Sequence, residues 1–96
     1  MEEEKIDNLG LRAIDLASVA AGLYLKNKNI TPPNYDILLK YIKTEVKSAF
    51  PEAIADTKEA FAIGMNEIAL ETFRASMRLA GIEAAKKLIK ENKENS

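Results

Sequence analysis

Between Thr57 and Leu79 the chain carries apolar residues on two separate stripes of a helical wheel. One runs through Phe61, Met65, Ile68, Ala75 and Leu79, the other through Ile63, Leu70, Phe73 and Met77. One amphipathic helix needs a single stripe, a little over a third of its circumference. The second has to be covered by something, and a chain of 96 residues has little of itself to spare. By the scaling of area with mass, such a chain forms one domain and buries roughly 60 to 65% of its unfolded surface. Self-association or a partner is therefore the first expectation. The competing arrangement puts this helix at the centre, with both stripes consumed inside one chain.

The rest of the sequence reads as helix too. Asp7 and Asn8 are cap-type residues before a periodic run that lasts to Lys26, where Asn27, Lys28, Asn29, Ile30, Thr31, Pro32, Pro33 and Asn34 break it. A first helix over about Asn8–Lys26 keeps its polar residues Arg12, Asp15, Ser18, Gly22 and Lys26 on one arc. Apolar residues fill the remainder, and Ala13, Ala17, Ala20 and Ala21 let a neighbouring backbone come close. The prolines at 32 and 33 suit a helix start, which places a second helix over about Asn34–Phe50, stopping before Pro51. Its inward face is Tyr35, Leu38, Leu39, Ile42, Val46, Ala49 and Phe50. Helix three then starts at Pro51 or at Asp56, where Glu59 completes a capping-box pattern, and runs through Gly64 to Ala80. Gly81 suggests a kink or break, leaving Ile82 to about Glu91 as a C-terminal extension or short fourth helix.

No segment has the alternation or β-branched clusters of a strand, and no repeat or low-complexity linker divides the chain. The expected fold is all-α: an antiparallel three-helix bundle spanning 1–96 as one domain, with a flexible acidic stretch at 1–7 and a frayed tail at 92–96. Its expected mode of association follows from the second stripe, which continues as Ile63, Asn66, Leu70, Phe73, Met77 and Ala80 at alternating spacings of three and four, like a short coiled-coil seam. Two such seams pair across a twofold axis, with Asn66 setting register and Phe73 and Met77 at the centre.

Several kinds of chemistry lack their parts. There is no Cys and no His, so thiolate zinc sites, disulfides and the usual nucleophile–base pairs are excluded. The glycines at 10, 22, 64 and 81 are isolated and cradle no phosphate. No cofactor is implied, and a non-enzymatic function is the expectation. The nearest approach to a catalytic set is Glu67, Glu71, Arg74 and Arg78, one charged strip in which two acids invite a Mg²⁺ and two arginines a phosphate. All-α pyrophosphohydrolases pair acids in that way, but this chain lacks their closely spaced acidic sets, and a solvated strip is the simpler account.

Nucleic-acid binding is the competing class. Lys40, Lys43 and Lys47 share one side of helix two, with further lysines at 26, 28, 86, 87, 90 and 93. Against it, arginines are few and no short helix-turn-helix with a polar recognition helix is visible. The net charge of −1 provides no general attraction to nucleic acid or anionic lipid. No apolar run approaches the ~20 residues of a membrane span, and Met1–Asp7 is acidic where a secretion signal is basic, so a cytoplasmic location is expected. The sequence thus points to a small helical protein that acts by binding, as a homodimer that is either a subunit of an assembly or a regulator of another macromolecule.

Overall fold

The computed structural model describes residues 2–31 and 34–94, with side chains for 12–31 and 34–92. It contains three helices, α1 (Glu2–Asn27), α2 (Tyr35–Ala62) and α3 (Asn66–Glu94), and no strand among the described residues. They form an up-down-up bundle in which α3 packs along both other helices, while α1 and α2 share a smaller contact. The molecule is long and thin, 50 × 20 × 17 Å, and its radius of gyration of 14.6 Å exceeds the ~12.5 Å of a compact chain of this length. Long helices side by side offer much surface per buried residue, so apolar side chains are left outside.

Helix boundaries depart from the expected ones at four places. α1 begins at Glu2, ahead of the Asp7–Asn8 cap signal. α2 does not stop before Pro51 but carries it inside and continues to Ala62. Pro51 and Lys47 both lie on the exposed side, so water can take the carbonyl bond that the missing N–H leaves open. The buried residues Leu38, Ile42, Val46, Ala53, Thr57 and Phe61 keep one helical phase across the proline, and this shared face outweighs the local break. Thr57, the buried polar residue of that face, donates its hydroxyl to the Ala53 carbonyl at 2.7 Å. The start of α2 has Asn34 as its cap, with Oδ1 accepting from the Asp36 N–H at 2.8 Å. Pro32 and Pro33, expected to lead into it, lie outside the described residues, as do Asn95 and Ser96 of the tail.

The third and fourth departures exchange the roles of two glycines. Gly64, expected inside helix three, has φ of 80° and ends α2. The Met65 N–H donates to the Ala60 carbonyl at 2.9 Å and the Gly64 N–H to that of Phe61 at 3.0 Å, the paired closure of a Schellman cap. Gly81, expected at a break, is buried in the middle of α3, which runs unbroken to Glu94; there is no separate C-terminal piece. A Cβ at Gly81 would stand 2.0 Å from the carbonyl oxygen of Ala17. The glycine lets α1 and α3 cross backbone to backbone, and Ala13, Ala17 and Ala21 on α1 with Ala80, Ala84 and Ala85 on α3 are all buried. The close approach foreseen for the α1 alanines is shown at Ala17, whereas Ala20 lines an outer groove. The turn after α1 repeats the Schellman closure with Asn29 at φ 57° and Ile30 N–H on the Leu25 carbonyl at 2.9 Å.

The contact between α2 and α3 is of another kind. Phe50 and Phe73 meet edge to face at 5.9 Å between centroids, and Leu38, Ile42, Met77 and Leu88 are fully buried.

Candidate interaction surface

The six residues expected to line a coiled-coil seam do not all share a face, and Ala80 is buried. The turn at 63–65 reverses the chain, so Ile63 belongs to the end of α2 and is exposed, and Asn66 is the exposed first residue of α3. Leu70 is half-buried, and Phe73 and Met77 are fully buried inside the single chain. Phe73 and Met77 are therefore core residues of this chain, with no surface left to form the centre of a contact between chains. The physical reason is that α3, not a helix beginning at Pro51, is central; its strongest apolar stripe goes to its own neighbours.

The other stripe is the one left outside. Met65, Ile68, Ala75 and Leu79 are exposed, with Ile68 at 52% and Leu79 at 61%; of this stripe Phe61 is buried, on α2. Along α3 the outward line continues as Ile68, Thr72, Ala75, Leu79 and Ile82, at spacings of four, three, four and three. That is the repeat by which one helix presents a seam to another. A second apolar patch lies on α1, where Val19 (63% exposed) and Leu23 (55%) stand in a shallow groove with Leu16 and Ala20, rimmed by Arg12, Asp15 and Arg78. No signal separated the two stripes of the 57–79 segment in sequence, because both fit a helix equally well.

The charged residues are sorted along the bundle. The Ala17–Gly81 crossing divides the molecule into two ends. Among the described side chains, the end formed by residues 17–51 and 81–92 holds eight lysines and four acids, a formal +4, and the end formed by 12–16 and 52–80 holds four basic residues and six acids, a formal −2. Lys40, Lys43 and Lys47 belong to the positive end and are exposed. Within it, Lys87 donates to Glu45 across α2 and α3, and Lys86 is 3.5 Å from Glu83. Lys28 stands over the Tyr24 ring at 5.3 Å.

Glu67, Glu71, Arg74 and Arg78 form one strip on α3, as the spacing implies, and Arg74 donates to Glu71 at 2.9 Å. All four reach solvent, where such pairs stabilise by at most about 1 kcal/mol. Among the described residues no three acidic groups come together in an arrangement that would hold a metal ion, and no helix is long and apolar enough to cross a membrane. Comparisons with protein-family models, with curated proteins and with solved structures each return no match.

Proposed function

We propose that this protein is a non-catalytic interaction module that works by self-association, as a homodimeric helical subunit or as a regulator that presents such an assembly to another macromolecule. One observation carries the reading: after three helices have packed, Val19, Leu23, Ile68 and Leu79 remain more than half exposed. Single exposed apolar residues are ordinary on any surface, but lines of them at helical spacing along a thin bundle mark an interface. The absence of His and Cys from the sequence supports binding over chemistry.

The test is absolute mass by light scattering during size-exclusion chromatography over a wide concentration range. A dimer that persists on dilution is expected. A strict monomer throughout overturns self-association. The nucleic-acid alternative is favoured by one feature, the gathering of Lys26, Lys28, Lys40, Lys43 and Lys47 at one end. It predicts binding to duplex that falls steeply with salt and is reduced by Lys43→Ala with Lys47→Ala.

A further inference from the structure

Resting on that reading, we infer that the second copy packs antiparallel along the outer face of α3, through Ile68, Ala75, Leu79 and Ile82. The first support is the spacing. The outward line from Ile68 to Lys86 alternates four and three over 18 residues, about 27 Å of helix at 1.5 Å per residue, and a partner helix needs this repeat to interlock. The second is charge. A molecule with a formal +4 at one end and −2 at the other, counted over the described side chains, repels a copy lying parallel beside it and attracts one lying antiparallel.

Antiparallel pairing also suits the stripe. When its positions oppose one another in register, Ala75 faces Leu79 of the second copy, Thr72 faces Ile82, and Ile68 faces Lys86. The small Ala75 leaves room for the large Leu79, and the methylene stem of Lys86 covers Ile68 while its ammonium reaches the acidic end of the other chain, beside Glu67. Parallel pairing stacks Leu79 on Leu79 and Lys86 on Lys86. The chain itself is thus the partner whose charge pattern is complementary by construction, since each end of one copy meets the opposite end of the other.

The native chain has no cysteine, so introduced ones report geometry without interference. Ile68→Cys and Lys86→Cys fall at exposed sites. Under mild oxidation the double variant is expected to form a covalent dimer, while each single variant does not. Efficient cross-linking of either single variant would show parallel pairing and overturn the inference. Leu79→Glu is expected to weaken association by about 100-fold or more, since the change enters a twofold contact twice, while the helical circular dichroism is retained. If Leu79→Glu leaves the dimer intact and Leu23→Glu dissociates it, association runs through α1; this inference falls and the self-association reading stands. A wild-type chain that is monomeric at every concentration removes both. Added NaCl is expected to weaken the dimer, because the attraction between unlike ends is screened.

Discussion

α3 meets its two neighbours by opposite means. Against α1 it offers Gly81, with Ala84 and Ala85 buried close by, and the backbones close until there is no room for a Cβ between Gly81 and the Ala17 carbonyl. Against α2 the contact includes Phe73 meeting Phe50 edge to face. The first seam is held by proximity, with many short-range dispersion contacts and little area per residue; the second by the burial of large side chains. Leu25 continues the buried alanine face of α1, while Val19 and Leu23 point away from it. Val19 and Leu23 are outside because the α1–α3 seam is occupied by alanines, so the tight seam and the exposed apolar groove are two results of one packing choice.

The contrast can be broken from the large side first. Phe73→Ala is expected to cost about 3–5 kcal/mol, read as a lower denaturation midpoint, because a fully buried ring at a close-packed seam leaves a cavity. Phe73→Asp should abolish the fold, since it places a carboxylate in the fully buried core. Gly81→Ala tests the small side. An exposed helical site would gain about 1 kcal/mol from this change, but the clash with the Ala17 carbonyl should turn it into a net loss of about 1–3 kcal/mol. A gain in thermal stability would show that α1 and α3 are not in backbone contact. Gly64→Ala, at the other glycine, is expected to cost about 1–2 kcal/mol through its positive φ, although nothing lies within 4 Å of the added methyl. Smallest is Glu67→Ala, which should shift stability by no more than about 0.5 kcal/mol. A large loss there would mean that the Glu/Arg strip of α3 is structural.

How much of this was legible depended on which residues carried the signal. The all-α class, the break near Asn29 and the α2 face through Leu38, Ile42 and Val46 follow from local periodicity. The proline at 51 misleads, because its cost is local while the phase that overrides it runs from Leu38 to Phe61. The two glycines mislead for a deeper reason. An isolated glycine in a helical pattern signals either a positive φ or a close approach, and the chain around Gly64 and Gly81 does not say which. Only the presence of Ala17 against Gly81 separates them. The same holds for the candidate surface. Ile68 and Leu79 are visible in sequence as part of one of two apolar stripes, but only packing shows that Phe73 and Met77, the larger residues of the other, are the buried ones.

The sequence by itself determined what each segment would be: helix throughout, apolar in excess, without thiolate or imidazole chemistry, and with its lysines and acids spaced apart along the chain. Those properties are set by residues a few positions from one another, through propensity, periodicity and the presence or absence of a side chain. The tertiary structure decided which of two equally good stripes faces inward, which glycine turns the chain and which admits a neighbour, and that the scattered charges collect at opposite ends. These depend on residues more than forty positions apart meeting in space, as Ala17 and Gly81 do, and as Glu45 and Lys87 do. Packing must satisfy both sides of a contact at once, and no single segment contains both sides.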